Sequence, residues 1–175
     1  EIRESLHSRS RNSKYLPWCY IDKEFITHSS DINAVVRDAD IVILAMPSAF
    51  MKKFMEPLTE DLSDKIVVSA VKGIIPGDYL TIVEHMHRYY NVPMQNLAVV
   101  TGPSHAEEVG QCQLSYLTVA SESTTTAERV RDVMANDFFR CSLSNDVLGV
   151  EAAAIMKNVY ALAVGIAVGL RFGDN

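Results

Sequence analysis

The segment IVILAMPSAF (residues 41–50) decides the fold class of this chain. It opens with a continuous apolar run rich in β-branched side chains, and such a run suits a strand buried on both faces, as in a parallel sheet. Pro47 and Ser48 end the strand, and Ser48 is a candidate cap for a helix through Phe50 and Phe54. The segment therefore predicts a strand followed by a helix.

The same unit recurs along the chain, after a short amphipathic helix predicted over residues 32–40. Further strands are predicted at residues 66–71, 97–101, 114–120 and 138–143, and further helices at 78–90, from 105 onward and at 125–136. Two capping boxes mark predicted helix starts, Ser104 with Glu107 and Thr125 with Glu128. Strands that alternate with helices form βαβ units, so we predict an α/β, Rossmann-like, mostly parallel sheet with right-handed crossovers.

The segment DVLGVEAAAIMKNVYALAVGIAVGLRFGDN (residues 146–175) predicts a long apolar helix, capped by Asp146. Lys157 lies in its middle, and no acidic residue three or four positions away can pair with it. Its ammonium group therefore needs a partner from elsewhere in the fold or from a ligand, unless it simply reaches solvent along the surface. The uninterrupted apolar run at 159–170 is too short to cross a bilayer, so we expect no membrane insertion.

Composition narrows the class of protein. The chain has 175 residues, 48% of them hydrophobic, and a net charge of -6, which favours a sizeable core and argues against a nucleic-acid partner. Cys19, Cys112 and Cys141 lack metal-site spacing, so we expect reduced core thiols, no metal site and a cytoplasmic location. No methionine precedes Met46, so we expect an interior piece of a longer protein.

The first 14 residues are polar and carry four basic side chains, namely Arg3, Arg9, Arg11 and Lys14. We expect a solvated helix end followed by a loop, and the alternative is a role near a cofactor phosphate. Pro17 disfavours a helical conformation for the residue before it, so this segment ends at Tyr15-Leu16-Pro17.

Candidate chemistry lies where the predicted strands end, because ligands of open α/β sheets bind beyond the carboxyl ends of the strands. Lys72 and Gly73 follow the second strand, and residues 102–104 (Gly-Pro-Ser) follow the third. We expect the amine of Lys72 to point into the cleft, with a solvent-exposed strand-end lysine as the alternative, and we expect His105 to be structural. No G-x-G-x-x-G occurs, so the chain carries no dinucleotide fingerprint of its own.

Four segments, taken together, point to a known family: AMPSAF (45–50), SAVKGI (69–74), TGPSHAEEV (101–109) and the segment at 146–175. In their order and spacing they resemble NAD(P)-dependent glycerol-3-phosphate dehydrogenase over nearly the whole chain, with Arg171 where the family's GLGFGDN form has glycine. The resemblance implies a dinucleotide-binding domain at residues 1–145 that lacks its first βα unit. It also implies that residues 146–175 begin an all-helical domain for substrate binding and dimerisation.

The resemblance assigns roles to individual residues. Lys157 resembles the family's proton donor and acceptor, and Lys72 resembles the lysine that cofactor and substrate share. The remaining matches are two substrate contacts, Gly102 and Ser104, and two cofactor contacts, Ala106 and Tyr15. The substrate phosphate would be held by residues beyond Asn175.

The implied activity is interconversion of dihydroxyacetone phosphate and sn-glycerol 3-phosphate with NAD(P)H, supplying glycerophospholipid synthesis, by a protein that is a homodimer when full length. The chemistry agrees, because hydride transfer to a ketone creates alkoxide character that a fixed ammonium group stabilises and protonates. The alternatives are a two-domain dehydrogenase of similar plan acting on another hydroxy acid or sugar, and a nucleotide-sensing module without catalysis. The presence of both Lys72 and Lys157 favours an enzyme.

Overall fold

Helices and strands alternate along residues 2–172, the part of the chain that the computed structural model describes. The strands are β1 (Ile41–Leu44), β2 (Ile66–Ser69), β3 (Leu97–Thr101), β4 (Ser115–Ala120) and β5 (Phe139–Ser144). The helices are α1 (Ile2–Arg9), α2 (Ile32–Arg37), α3 (Met51–Met55), α4 (Ile82–Tyr90), α5 (Ala106–Gly110), α6 (Thr124–Met134) and α7 (Val147–Gly169). The predicted order of elements is confirmed, although α2 and α4 are shorter than expected.

One sheet has the strand order β1-β2-β3-β4-β5, and it is mostly parallel, as predicted. Within the described chain, β3 and β4 form the one antiparallel pair, in which Thr101 lies opposite Thr118. The strands β4 and β5 therefore run opposite to β1, β2 and β3. As a result, the amino ends of β4 and β5 lie at the same edge of the sheet as the carboxyl ends of the first three strands.

The sheet separates two apolar cores, because alternate residues of a strand face opposite sides. One face carries Val67, Leu97 and Val99 and packs against the helices α2, α3 and α4 and the start of α7. The other face carries Val68 and Val100 and packs against α6. Burial on both faces is confirmed for β2 and β3 but is wrong for β1, since the side chain of Ile43 is 45% exposed.

Local hydrogen bonding explains where the helices begin. The Asp146 carboxylate accepts the Gly149 N–H at 2.8 Å, so the predicted cap of α7 is confirmed. Helix α4 has a capping box that was not predicted from the sequence, in which the Thr81 hydroxyl and the Glu84 carboxylate each accept the other residue's N–H. Helix α6 is capped by the Ser123 hydroxyl, which accepts the Thr126 N–H.

Three predicted caps are wrong. The Thr125–Glu128 capping box is displaced because α6 begins one residue earlier, behind Ser123. No side chain caps α5, where His105 occupies the position before the first turn, so the Ser104–Glu107 box is absent. Ser48 instead begins a short 3-10 turn that leads into α3, and no side-chain hydrogen bond caps that turn. The sequence patterns therefore predicted that these helices exist but placed their capping residues at the wrong positions.

Helix α7 has 23 residues, and its central and last turns are exposed. By length and composition alone it passes the test for a membrane span, with a mean hydropathy of 1.6 over a window of which 0% is buried. The apolar stretch of α7 is thus longer than the run at residues 159–170, and the absence of membrane insertion stays a prediction. A helix of a protein interior passes the same test, and α7 carries both Glu151 and Lys157. Residues 173–175 lie outside the described chain.

Candidate functional site

The turns that follow β1 and β2 lie against each other at the carboxyl edge of the sheet. Gly73 has φ +132°, and a Cβ there would lie 2.5 Å from the Ser48 Oγ. Only glycine tolerates both this backbone conformation and this approach. Lys72, just before Gly73, is exposed at this edge. Its position agrees with the predicted site, and the direction of its amine into the cleft stays a prediction.

The loop that leaves Lys72 is held in place at two points. Ile75 is fully buried in the core, and its N–H donates to the Leu80 carbonyl at 2.9 Å. Asp78 forms an ion pair with Lys52 of α3, with 2.8 Å between Nζ and Oδ1. The hydrogen bond from Lys52 lowers the pKa of Asp78 and keeps its carboxylate ionised. The loop that begins at Lys72 is therefore held in place by a backbone hydrogen bond and by an ion pair.

His85 of α4 lies behind this loop and is 4% exposed. Burial lowers its pKa, and the neighbouring Asp78, with Oδ2 3.5 Å from Nδ1, opposes that shift. Because burial is the larger effect, the contact joins a neutral imidazole to a carboxylate. His85 also contacts the Tyr89 ring, with 4.8 Å between centroids, and lines a pocket of about 420 Å³ with Lys52 and Tyr90. Within the described chain the Nδ1 atom of His85 is buried and makes no hydrogen bond.

Gly102 shapes the edge next to β3. A Cβ at this position would collide with the Tyr116 carbonyl oxygen and lie 3.0 Å from the Leu117 Cα, so the turn after β3 rests directly on the backbone of β4. Gly102 also lines a pocket of about 330 Å³ together with Thr118 and Arg140. This pocket lies where the carboxyl end of β3 meets the amino ends of β4 and β5. A substrate contact at Gly102 stays a prediction, and the geometry gives it an accessible surface.

We expect Gly102→Ala to lower the free energy of unfolding by about 1–3 kcal/mol, the usual cost of overpacking, because backbone atoms on β4 leave no room for the methyl group. Chemical denaturation of the 175-residue chain measures this effect. The matched control is Gly165→Ala, where no atom lies within 4 Å and helix propensity should raise stability by about 0.5–1 kcal/mol. Equal stabilities of wild type and Gly102→Ala would show that β4 yields to the added methyl group.

The other predicted contacts lie in the segment that follows Gly102 or in the segment that packs against the end of α5. Ser104 is half-buried in the turn, and Ala106 is exposed at the start of α5. The segment with Tyr15 packs against the end of α5, since Leu16 and Trp18 each lie 3.6 Å from the position of a Cβ on Gly110. Two of the three predicted cofactor contacts, Tyr15 and Ala106, therefore lie on segments that touch each other, and Tyr15 itself is 58% exposed.

The polar amino-terminal segment forms α1 and a loop, as predicted. It borders a pocket of about 1010 Å³ whose lining includes His7, Arg9, Lys14 and His28. This basic lining is compatible with the alternative role near a cofactor phosphate. The cysteines are free; the expectation of a core thiol is wrong for Cys112, which is exposed, whereas Cys141 is half-buried and packs against the core. Within residues 2–172 no group of His, Cys, Asp and Glu is arranged to hold a metal ion.

Lys157 is exposed on α7, and within the described chain no hydrogen bond or ion pair engages its ammonium group.

The sequence analysis missed the other charged residue of this helix, Glu151, whose side chain is buried and 6% exposed. Its carboxylate accepts the Val83 N–H at 3.3 Å and thereby joins α7 to the start of α4. Burial raises the pKa of Glu151. The signal available in the sequence was a single acidic residue near the start of a mostly apolar helix.

These residues fit one part of a dinucleotide cofactor. An exposed ammonium group at the carboxyl ends of parallel strands suits an anionic nucleotide, and Lys72 supplies it. The glycine-rich turn that holds a pyrophosphate in such folds does not occur in this sequence. The sequence also predicts a common site for Lys72 and Lys157, because Lys72 follows a parallel strand and the helix of Lys157 opens the domain that must cover that edge; this stays a prediction.

Comparisons with known proteins agree with the fold and the motifs. Residues 1–127 match the family described as NAD-dependent glycerol-3-phosphate dehydrogenase N-terminus, and residues 146–175 match the corresponding C-terminus family. A glycerol-3-phosphate dehydrogenase [NAD(P)+] of Prosthecochloris aestuarii is 36% identical over 177 residues, and that of Bacillus cereus is 34% identical over 179. Both alignments cover 100% of this chain and 53% and 52% of those proteins, so the chain spans about half their length.

Solved structures of proteins with the same name share the fold. The Plasmodium falciparum enzyme superposes with a TM-score of 0.88 at 21% identity, over 97% of this chain and 48% of its own. The Coxiella burnetii enzyme gives 0.84 at 24%, over 99% and 53%. At these identities the structural similarity supports the fold alone. The sequence matches go further, and the chain belongs to the NAD-dependent glycerol-3-phosphate dehydrogenase family.

Proposed function

We propose that the protein is an oxidoreductase that interconverts dihydroxyacetone phosphate and sn-glycerol 3-phosphate with NAD(P)H and supplies glycerophospholipid synthesis. The observation that carries this proposal is the match to both family domains in a chain that retains Lys72 and Lys157 in the expected motifs. Lys72, Ala106 and Tyr15 are the residues of this chain that would hold the cofactor. Gly102 and Ser104, with Lys72, would contact the substrate.

The bound nicotinamide supplies the hydride that reduces the ketone. Negative charge then develops on the carbonyl oxygen, and the Lys157 ammonium group would stabilise it and give up a proton to complete the alcohol. In the reverse direction the neutral amine of Lys157 would accept the hydroxyl proton. Lys157 is exposed, and within the described chain no carboxylate forms an ion pair with its ammonium group, so the group is available to the substrate. Lys72 would place the anionic substrate next to the cofactor.

Steady-state kinetics on the full-length protein test this proposal. We expect NAD(P)H oxidation with dihydroxyacetone phosphate and much slower turnover with other keto acids or keto sugars. Preference for another carbonyl substrate would support the related-dehydrogenase alternative. Tight nucleotide binding without turnover of any carbonyl substrate would support the sensing module.

The isolated 175-residue chain should bind NADPH weakly and show negligible turnover, because it has no glycine turn to hold the pyrophosphate. Isothermal titration calorimetry compares this chain with the full-length protein under the same conditions. Comparable affinities would mean that the cofactor is held by residues other than those proposed.

We also propose a phosphate-bearing small-molecule substrate, a cytoplasmic location, a homodimer when full length, and no membrane insertion. The support for the last point is that α7 begins as a packed element of the protein, with Val147 in the core and Glu151 bonded to α4. The exposed apolar side chains farther along α7 would then be covered by helices of the C-terminal domain, to which residues 146–175 match.

A further inference from the structure

We propose that Glu151 is a positioning residue that holds the helix of Lys157 against the loop of Lys72. The proposal rests on the proposed function, in which both lysines act on one substrate. Glu151 touches neither the predicted substrate contacts nor the cofactor contacts, so its part is to fix the relation between two elements.

The contact lies where the Lys72 loop ends. The first N–H groups of a helix have no partner within it, and at α4 several are satisfied by side chains. The Thr81 hydroxyl accepts the Glu84 N–H at 3.3 Å, and the Glu84 carboxylate accepts the Thr81 N–H at 2.9 Å. The Val83 N–H instead donates to Glu151 Oε1 of α7, at 3.3 Å. The helix that carries Lys157 thus bonds directly to the start of α4, where the Lys72 loop ends.

Glu151 is also the last fully buried residue of α7 in the described chain. Val147 is 7% exposed and Glu151 is 6% exposed, four residues apart on one face of the helix, and Val150 packs beside them. Lys157 follows six residues later, about 9 Å along the helix axis. The buried first turns of α7, from Val147 to Glu151, are the anchor that sets the direction of the exposed part of the helix. A small tilt of the helix axis at Glu151 would therefore displace the Lys157 ammonium group by a larger distance.

The charged groups around the carboxylate make the anchor sensitive to pH. Burial is the main cause of the raised pKa of Glu151, and the nearby Glu84 carboxylate raises it further. Hydrogen bonds from Thr81 and from the Val83 and Ile82 N–H groups oppose the shift. A pKa raised in the folded state contributes stability at low pH that is lost as pH rises from the ordinary glutamate range through the folded pKa. A neutral glutamine of the same shape should remove this loss.

The test compares Glu151→Leu and Glu151→Gln with wild type in the full-length protein. Leucine removes the acceptor and leaves the Val83 N–H buried without a partner, whereas glutamine keeps a carbonyl oxygen for it. We expect Glu151→Leu to lower kcat by about 10- to 100-fold with little change in NAD(P)H affinity, since an error of about 1 Å in placement has effects of this size. We expect Glu151→Gln to retain most of kcat, to unfold at a higher temperature than wild type above neutral pH, and to lose that advantage in acid.

Glu128→Leu on the exposed face of α6 is the matched control and should leave turnover unchanged. Hydrogen exchange at the Val83 amide reports the contact directly and should accelerate in Glu151→Leu but not in Glu151→Gln or Glu128→Leu. If Glu151→Leu does not fold, Glu151→Asp, shorter by one methylene, should show the same loss of kcat and the same faster exchange.

Two outcomes separate the two proposals. Normal kcat in a folded Glu151→Leu variant, in a protein whose wild type reduces dihydroxyacetone phosphate, would overturn the positioning role alone. A wild type that does not reduce this substrate would overturn the proposed function and the positioning role with it.

Discussion

Replacing Lys157 with methionine should lower turnover of dihydroxyacetone phosphate by about 10²–10⁴-fold, the usual contribution of a positioned acid or base. Methionine has a similar length but neither charge nor proton, so both the protonation of the alkoxide and the stabilisation of its charge are lost. No internal carboxylate engages this ammonium group in the described chain, so its removal leaves no buried partner unpaired. Stability should therefore change little while turnover falls.

Arginine at position 157 should not restore turnover, because a guanidinium group keeps its charge but holds its proton too firmly to transfer it near neutral pH. The measurement is steady-state reduction of dihydroxyacetone phosphate by the full-length wild type, Lys157→Met and Lys157→Arg, with NADPH affinity determined separately and expected to change much less. Lys53→Met, at an exposed position on α3, controls for the loss of any surface charge. Turnover near the wild-type value in Lys157→Met would make Lys157 a structural surface lysine.

The strands were predictable because their signal is local and strong. The run Leu97–Thr101 forms a strand with the predicted bounds, and the buried run that begins at Ile66 ends within two residues of its prediction. Each is a short apolar run rich in β-branched residues and bounded by turn residues, and this combination favours a buried strand over a helix. The positions of the candidate residues followed from the same signal, because strand ends place Lys72 and Gly102 at one edge.

The direction of β4 could not be predicted from alternation alone. The connection from β3 to β4, residues 102–114, contains only the five-residue helix α5, and its length is compatible with either a short crossover or an antiparallel return. Burial of β1 also depends on what lies beside it, and Ile43 is exposed because no described element covers it. The direction of β4 and the burial of β1 depend on tertiary packing, and a local sequence pattern does not predict them.

Helix starts were located less well than helices. Ser104, Ser48 and Thr125 each have the residue type of a cap, yet the chain turns one or two residues away from where the pattern placed it. Glu151 was missed for a different reason. Its partner, the Val83 N–H, is 68 residues away in sequence, and only the packing of α7 on α4 brings the two together.

Lys72 gives the second large effect, and the strand β2 provides its own control because it has a lysine near each end. Lys72→Met should lower kcat/KM for dihydroxyacetone phosphate by about 10- to 100-fold, since a hydrogen bond to a charged group contributes about 1.5–3 kcal/mol. The loss should appear as higher KM values for both the phosphate substrate and NADPH, because one ammonium group is proposed to contact both. Lys157→Met should instead lower kcat with smaller changes in KM.

Lys65→Met changes the same residue type at the amino end of β2, where Lys65 Nζ donates to the Ala39 carbonyl at 2.9 Å. Its partner is a backbone carbonyl at the edge of the sheet opposite to the proposed site, so this variant should lose some stability and keep its KM values. Full steady-state matrices in both substrates, together with thermal unfolding of each variant, distinguish the two lysines. Equal effects of Lys72→Met and Lys65→Met on both KM values would mean that Lys72 acts through the stability of β2, and the substrate would then be held without it.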